Sequence, residues 1–336
     1  MRFGLALPHY DYSFPDEVAP VAFERVAEVA QVGERLGFSS VWISDHFFLS
    51  LAKYGAGDTR HGSLEPFTAL AGLVSATDRI RLGTLVASAP FRHPAIVANM
   101  AATIDQLSGG RFDLGVGAGW FGDEFPAFGY PFETTGERFA ELEDHLSVLD
   151  TLLGRERGPA DLETDRFTLR GASIRPGPAG GEGIPIWLGA KGGPRSLSLA
   201  ARFADGWNTA WRWTPPAYAE RSAEADRACE SIGRDPASLR RSVGLPLLMG
   251  VDRANLDDRW RVLQAWTPDG AFDAEDLDVF ALDTLTGTPE RVHALIAAYE
   301  DLGVEQIIVN AASMPFALSD VDQLEMFSEE IIRVFA

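Results

Sequence analysis

The sequence has one cysteine and few basic residues, and each shortage excludes a class of protein. The single thiol, Cys229, allows no intramolecular disulfide and no multi-cysteine metal or iron–sulfur site. The 336 residues carry 29 basic and 49 acidic side chains, which gives a formal net charge of -20. Because nucleic acids and anionic membranes both require a positively charged surface, neither is expected as a partner.

Long apolar runs and targeting signals are also missing. No run reaches the roughly 18 apolar residues that a membrane span requires. No basic segment followed by an apolar core precedes the first strand-like stretch, so a signal peptide is not expected. The sequence therefore predicts a cytoplasmic protein that does not cross a membrane.

Short apolar runs alternate with amphipathic stretches along the whole chain. Continuous apolar runs are typical of parallel strands that are covered on both faces. The runs predicted to be strands are 3–8, 41–43, 80–86, 112–117, 184–188, 206–209, 242–251 and 306–310. Eight such strands with helices between them predict an α/β fold, a closed (β/α)8 or TIM barrel, with a doubly wound open sheet as the alternative.

Two stretches interrupt this alternation. Residues 154–184 are rich in glycine, proline and charge, and 167–174 resemble part of a small hairpin. Residues 268–287 are acidic and irregular. Long irregular loops of this kind are usually functional lids or mobile insertions. We interpret both stretches as insertions in a single domain that spans residues 1–336.

The predicted strand ends carry the residues that we expect to work, since TIM barrels place their active sites at the C-terminal ends of the strands. These ends are polar, glycine-rich and aromatic, as a flat heterocycle with a phosphate tail requires. In chain order they are His9, 44–46, 85–88, 117–120, 189–193 and 207–208.

The segment 189–193 (Gly-Ala-Lys-Gly-Gly) is predicted to bind phosphate. It lies between a strand and a helix that has Pro194 in its first turn. The free amides at a helix N-terminus form a ready anion site. Lys191 is one of only two lysines in the chain. The alternative is that Lys191 lies on a solvated turn.

The segment 117–122 matches the letters of the dinucleotide motif G-x-G-x-x-G. That motif requires a helix to begin within it, whereas here Pro126 and Pro131 follow and delay the next helix to about residue 136. We interpret the glycines as a loop that lets backbone approach a ligand. A tight turn packed on Trp120 is the alternative.

Three further groups of side chains bear on proton transfer, on substrate binding and on metal binding. Asp45 can accept hydrogen bonds from a ligand, and His46 suits proton transfer near neutral pH, although a structural histidine is the alternative. Trp207, Trp211 and Trp213 suggest a wall for a planar substrate, or ordinary core packing. The six histidines form neither H-x-H nor H-E-x-x-H, and no carboxylate cluster completes a ligand set, so no metal site is expected.

Several motifs together resemble the bacterial luciferase-like superfamily, and within it the oxidoreductases that use the 5-deazaflavin coenzyme F420. The matching segments are 37–46 (GFSSVWISDH), 79–86, 107–120 with Glu124, 185–189, 204–208 and 287–290. The resemblance implies a (β/α)8 barrel with an insertion and a flavin at its C-terminal mouth. It also implies a non-proline cis peptide at Leu85–Val86, which would press against the middle ring of the cofactor.

The resemblance also bears on acid–base roles and on assembly. Asp45-His46 is similar to the pair of deazaflavin-dependent sugar-phosphate dehydrogenases, in which the histidine is the base and a glutamate after the glycine loop donates a proton. Trp120 stands at that place here, so sugar-phosphate activity is in doubt and the proton donor is unassigned. A homodimer through the second and third helices is implied, with small residues such as Ala98 and Ala101 allowing close contact.

We therefore predict an enzyme that transfers a hydride between coenzyme F420 and a small organic substrate, with His46 as the catalytic residue. The alternatives are an FMN-dependent monooxygenase that uses reduced flavin and O2, and a flavin-binding protein without turnover. The predicted cofactor-binding residues are Asp45, Thr84, Leu85, Val86, Gly117, Ala118, Gly119, Gly189, Ala190, Lys191, Gly192 and Gly193. The predicted substrate pocket is formed by His9, Trp120, Trp207, Asn208 and Trp211.

Overall fold

Eight parallel strands close into a barrel in the computed structural model, which describes residues 1–14, 21–52, 55, 57–154, 158–180 and 183–335. The barrel strands are β1 (Arg2–Ala6), β2 (Ser40–Ile43), β5 (Arg81–Thr84), β7 (Phe112–Gly117), β10 (Ile186–Gly189), β11 (Gly206–Ala210), β12 (Arg240–Met249) and β14 (Gln306–Asn310). The barrel closes because β10 pairs with both β7 and β11, and β14 pairs with both β12 and β1. The predicted (β/α)8 barrel is confirmed, and the open sheet is excluded.

The remaining strands are short and lie outside the barrel wall or extend it. β6 (Ala87–Ser88) pairs with β7, and β13 (Leu285–Gly287) pairs with β12. β3 (Phe48–Ser50) and β4 (Arg60–Gly62) form an antiparallel hairpin. A second hairpin joins β8 (Ala160–Glu163) to β9 (Thr168–Ala172) within the predicted insertion 154–184.

The helices form the outer layer, and most begin at a residue whose chemistry favours a helix start. They are α1 (Phe23–Leu36), α2 (Pro66–Val74), α3 (Pro94–Ser108), α4 (Glu124–Ala127), α5 (Thr135–Leu153), α6 (Pro194–Phe203), α7 (Pro215–Glu230), α8 (Arg253–Trp266), α9 (Leu277–Phe280), α10 (Pro289–Asp301), α11 (Asp322–Phe327) and α12 (Arg333–Phe335), with a π-helical turn at Ser328–Ile332. Prolines open several of them, and Thr134 and Glu137 form a capping box at α5. In the described part of the chain, none of these helices is long and apolar enough to span a bilayer.

The small residues of α2 and α3 serve the barrel rather than its outer surface. Ala98, Ala101 and Ala102 are fully buried within one chain, and Ala69 is nearly so. A Cβ on Gly72 would lie 2.6 Å from the Phe23 ring, so this glycine makes room for α1. Ala69, Ala98, Ala101 and Ala102 therefore do not supply a surface for a second copy, whereas Ala71 and Gly72 are partly exposed, and the homodimer stays a prediction.

Two indole rings fill the lower barrel and require glycine on the neighbouring strands. Trp42 and Trp187 are buried and meet edge to face, with ring centroids 6.3 Å apart. A Cβ on Gly83 would lie 2.4 Å from Trp42, and one on Gly206 would lie 2.3 Å from Trp187. These two rings therefore fill space inside the barrel, and the ligand site is expected at the C-terminal rim.

Candidate functional site

The rim of the barrel brings together the ends of β1, β2, β5, β7, β10 and β11, as predicted. Parallel pairing in the order β11-β10-β7-β5-β2-β1 makes consecutive strand ends neighbours. His9, His46 and Lys191 follow three different strands of this series. Because every barrel strand points the same way, all of these loops lie at one end.

His46 lies at the rim and is paired with a buried carboxylate. Its Nδ1 is 2.7 Å from Oε1 of Glu124, whose side chain is 2% exposed. The other oxygen of Glu124 accepts the amide of Phe47 at 2.9 Å. Since an ionised carboxylate only accepts, Nδ1 of His46 carries the proton and donates it. Nε2 makes no hydrogen bond within the described residues, so it is the nitrogen available to a ligand.

Aromatic rings surround this histidine–carboxylate pair. Trp120 and Phe121 both contact the imidazole edge to face, with centroids 5.6 and 6.2 Å away. Trp120 is 49% exposed, although it is large and apolar. The predicted pocket residue Trp120 therefore lies beside His46 and faces outward from the rim.

Asp45 is directed away from its neighbour His46 and is fully engaged by protein groups. Arg92 donates to both of its oxygens, at 2.6 and 3.0 Å, and the Ser88 amide donates to Oδ2 at 2.9 Å. Arg92 also contacts Glu65 at 2.8 Å. Burial lowers the pKa of the Arg92 guanidinium, and the carboxylates of Asp45 and Glu65 raise it above its ordinary value. The carboxylate thus has three donors without a ligand, and its role as a cofactor anchor stays a prediction.

Val86 lies where the ends of β5, β7 and β10 meet. The peptide bond that joins Leu85 to Val86 is cis. A Cβ on Gly115 would lie 2.9 Å from Val86, one on Gly117 2.7 Å, and one on Gly189 2.6 Å. Gly117 and Gly189 thus make room for the valine side chain, whereas a Cβ on Gly115 would first meet the Thr84 carbonyl, at 2.1 Å. Thr84 is bound separately, since its hydroxyl donates to the carbonyl of Gly115 and accepts from its amide.

The loop after β7 uses its glycine for a turn. Gly119 has φ +73°, and a Cβ there would lie 2.8 Å from Phe125 and 3.0 Å from the Ser88 hydroxyl. Ala118 packs against the core beside it. This geometry matches the tight-turn alternative, with Phe125 rather than Trp120 as the packing partner. The Ser88 hydroxyl is buried and has no hydrogen-bond partner among the residues that the structure describes.

The loop 189–193 is hydrogen-bonded to β11 and borders open space at Gly193. The Ala190 amide donates to Asn208, and its carbonyl accepts Nε1 of Trp207 at 2.9 Å. At Gly193, which precedes α6 and provides no side-chain cap, a Cβ would meet nothing within 4 Å. Gly192 has φ +80° and packs against Trp207. Space is therefore open beside Gly193 at the start of α6, where no side chain caps the helix.

Lys191 extends from this loop to the end of β11. Its Nζ donates to the carbonyl of Trp211 at 2.8 Å and lies 5.1 Å from the Trp213 ring centroid. Burial lowers the pKa of Lys191 to about 8, while Asp283 acts in the opposite direction. The lysine thus bridges two rim segments while its side chain remains exposed, and its role in phosphate binding stays a prediction.

His9 is part of a buried hydrogen-bond chain. Its Nδ1 donates to the Leu7 carbonyl at 2.8 Å, its Nε2 is 3.0 Å from the Ser44 hydroxyl, and that hydroxyl is 2.7 Å from the Tyr10 hydroxyl. Burial lowers the pKa of His9 to about 3, so the ring is neutral. His9 therefore links the segments that follow β1 and β2. Its ring also contacts the ring of Phe316, which follows β14, with centroids 5.0 Å apart.

The predicted aromatic wall is not a single surface, because Trp207 and Trp211 lie in different surroundings. Trp207 is fully buried and stacks on Tyr218 of α7, so it lies between the barrel and the helices and not in a pocket. Asn208 points inward but donates to Ser242 at 2.9 Å. Trp211 does line a cavity, where its ring contacts Phe316 edge to face and packs against Gly244.

This cavity has a volume of about 500 Å³ and lies at the rim beneath the second predicted insertion. Its lining comes from β11, β12 and β14 and from the insertion, and comprises Gly55, Trp211, Arg212, Pro246, Gly270, Phe272, Asp273, Ala274, Glu275, Asn310, Ser313 and Pro315. Arg212 connects the end of β11 to the insertion by two ion pairs, since its guanidinium binds Glu275 at 2.6 Å and Asp283 at 2.6 Å. Sequence reasoning found Trp211 in this group and missed the others.

Glu124 is the other residue that sequence reasoning left out of the site. It appeared only as part of a matching segment, because no local pattern shows a contact across 78 residues of chain. The sequence signal for this residue was a single carboxylate, Glu124, that follows the glycine loop 117–119 after a predicted strand. Among the described residues, no group of three or more histidines, cysteines and carboxylates could hold a metal ion.

Comparison with known proteins adds to this geometry. The sequence model of the luciferase-like monooxygenase family matches residues 1–306. The chain is 34% identical over 179 residues to 4-hydroxyprotoasukamycin monooxygenase of Streptomyces nodosus subsp. asukaensis, which is 53% of this chain and 45% of that enzyme. It is 29% identical over 309 residues to an uncharacterised protein of Mycobacterium tuberculosis (strain CDC 1551 / Oshkosh), covering 89% of this chain and 96% of the other.

A solved structure covers almost the whole chain. The F420-dependent secondary alcohol dehydrogenase, solved with an F420–acetone adduct, has a TM-score of 0.79 at 21% identity, covering 99% of this chain and 98% of that one. At that identity the likeness shows the fold alone. The match to the Streptomyces monooxygenase spans less than half of that enzyme, so its activity is not carried over with the match.

Proposed function

Because the chain belongs to the luciferase-like monooxygenase family, whose members are oxidoreductases or monooxygenases, we propose that it transfers a hydride between coenzyme F420 and a small organic substrate. The observation that carries this proposal is the His46–Glu124 pair at the rim. Exchange of a hydride with a CH–OH group also requires the hydroxyl proton to be accepted or supplied. A histidine with one nitrogen fixed and one available is suited to that task.

The rim residues fit a phosphate-bearing tricyclic cofactor. Space is open beside Gly193 at the start of α6, Lys191 belongs to the same loop and carries its positive charge to the end of β11, and the buried Ser88 hydroxyl has no partner among the described residues. We assign the phosphate to the loop 189–193, and the ring to Val86 and the strand ends around it. When bound, F420 supplies the carbon that accepts or donates the hydride.

The residues of this chain move the proton. In the oxidation direction, the substrate C–H bond breaks and its electron pair leaves with the hydride, while the O–H bond breaks and its proton passes to Nε2 of His46. The C=O bond forms from the electrons of that O–H bond. Glu124 stabilises the imidazolium that results, because its carboxylate already accepts Nδ1–H. Reduction follows the same steps in reverse.

Replacing Gly193 with valine is expected to weaken cofactor binding at least tenfold at a small cost in stability, because valine is a poorer N-cap for α6 than glycine. The new Cβ would meet no protein atom within 4 Å, so the side chain would extend into the open space beside the start of α6. Fluorescence titration with F420 and thermal unfolding measure the two effects. Gly180→Val, which also has no neighbour within 4 Å, is the matched control. Unchanged F420 affinity in Gly193→Val would place the phosphate elsewhere.

Cofactor affinity is expected to fall as the pH rises from 7 to 9. The pKa of Lys191 is lowered to about 8, so its charge is present below that pH and lost above it. Loss of a charge-assisted hydrogen bond of about 1.5 kcal/mol reduces affinity roughly tenfold. Lys191→Met should bind weakly with little pH dependence over this range. A pH-dependent Lys191→Met variant would assign the titration to another group.

The rival is an FMN-dependent monooxygenase, and one measurement separates it from the proposal. Purified protein is titrated with F420 and with FMN, and oxygen consumption is followed with reduced FMN. We expect micromolar binding of F420 and no oxygen consumption above that of free reduced FMN. Micromolar binding of FMN without binding of F420, together with protein-dependent oxygen consumption, would establish the rival instead.

A further inference from the structure

We infer that the cavity beneath residues 270–275 accepts an apolar molecule that carries no acidic group. This inference deepens the proposed function, because it assigns the cavity to the organic substrate of that reaction. The cavity lies at the C-terminal ends of β11, β12 and β14, on the same rim as His46. Its volume of about 500 Å³ lies within the range of pockets that bury a drug-sized ligand.

The walls of the cavity are apolar. Trp211, Phe272 and two prolines, Pro246 and Pro315, supply the large surfaces. The Trp211 ring is fixed from both sides, since it meets Phe316 edge to face at 5.5 Å and rests on Gly244, where a Cβ would lie 2.9 Å from it. A rigid aromatic wall of this kind favours an apolar or planar ligand.

The neutral polar groups in the lining are already bound to protein. The amide nitrogen of Asn310 donates to the carbonyls of Ala312 and Met314 at 2.9 and 2.7 Å, and its oxygen accepts the Ala317 amide. The Ser313 hydroxyl is 2.7 Å from the hydroxyl of Thr267. These groups hold the loop after β14 together, and a polar ligand would have to break those bonds to use them.

The charges of the lining disfavour an anion. Arg212 is the one cation among the described lining residues, and it binds Glu275 through two nitrogens, at 2.6 and 3.3 Å, and Asp283 through Nε at 2.6 Å. Its guanidinium also lies over the Phe280 ring, 5.0 Å from the centroid. Asp273 adds a further negative charge to the lining. An acidic ligand would therefore meet two carboxylates and a cation whose charge is already balanced.

Two fluorescent probes with the same ring system test this inference. N-phenyl-1-naphthylamine is neutral, and 1-anilinonaphthalene-8-sulfonate differs by one sulfonate. Both are titrated into the full chain without cofactor. We expect the neutral probe to bind at least tenfold more tightly. Phe272→Ala should weaken the neutral probe at least fivefold, whereas Phe128→Ala, at an exposed phenylalanine outside the lining, should leave its affinity within twofold.

A charge variant separates the role of the lining from the general hydrophobicity of the probes. Glu275→Gln leaves Arg212 with one carboxylate partner, so the sulfonated probe should bind at least fivefold more tightly and the neutral probe within twofold of the original chain. Glu329→Gln, on the π-helical turn, is the matched control. Equal affinity of both probes, or no effect of Phe272→Ala, would overturn the inference. Since no cofactor is present, these outcomes are independent of whether F420 or FMN binds.

Discussion

Replacement of His46 by alanine is expected to lower kcat by about 10²- to 10⁴-fold while the affinity for F420 changes less than threefold. The imidazole is the proton-transfer group in the proposed reaction, and its fixed Nδ1 leaves Nε2 to exchange a proton with the substrate. The measurement is the rate of F420 absorbance change with a substrate that the unaltered chain turns over. Cofactor affinity is read separately by fluorescence.

Glu124→Gln is the companion variant for this experiment. The amide can still accept from Nδ1, but it cannot balance the imidazolium charge, so we expect a smaller loss in kcat and a shifted pH–rate profile. A variant that merely damaged folding would lower kcat and the unfolding temperature together without moving the profile. Full activity of His46→Ala would transfer the proton-transfer role to another residue.

Asp45→Ala is expected to reduce the free energy of unfolding by about 3 kcal/mol. Removal of one partner of a buried ion pair leaves the other charge uncompensated, which costs about 3–5 kcal/mol, and Glu65 retains part of the interaction with Arg92. Urea unfolding measures the loss. The double variant Asp45→Ala/Arg92→Met should recover part of it, because the buried guanidinium is gone and the Glu65 carboxylate that remains is exposed to solvent.

This experiment also decides between two roles for Asp45. The sequence predicted a cofactor anchor, whereas the structure shows three protein donors on the carboxylate. If Asp45→Ala keeps its stability but loses F420 affinity, the anchor role is correct and the ion pair is secondary. If stability falls and the remaining folded protein binds F420 normally, the residue is structural.

The barrel was predictable because its signal is local. Each buried parallel strand is a short apolar run, so the predicted and observed bounds of the eight barrel strands agree within two residues. The strand, glycine loop and helix start of 185–194 were predictable for the same reason, whereas phosphate binding by this loop stays a prediction. The Leu85–Val86 cis peptide followed from the resemblance and not from a local pattern.

The contacts that organise the rim were not predictable, because they join residues far apart in the chain. Glu124 meets His46 across 78 residues, and Arg92 meets Asp45 across 47. Trp207 and Trp211 are four positions apart, and strand alternation alone would place both on one face. Only Trp207 lies within β11, whereas Trp211 follows its end and turns onto Gly244. The sequence alone does not show which of these two tryptophans departs from the alternation of a strand.

The packing of Val86 against Gly117 and Gly189 has an evolutionary consequence. A side chain added at either glycine would meet the Val86 side chain first, so it must be matched by a smaller residue at position 86. These three positions therefore form one mutational unit that is expected to covary among homologues. Gly115 stands outside this unit, because a Cβ there would lie 2.1 Å from the backbone carbonyl of Thr84, which no change at position 86 removes. Laboratory libraries that randomise one of the three positions should return mostly the parental residue, whereas libraries that randomise all three together can recover new solutions.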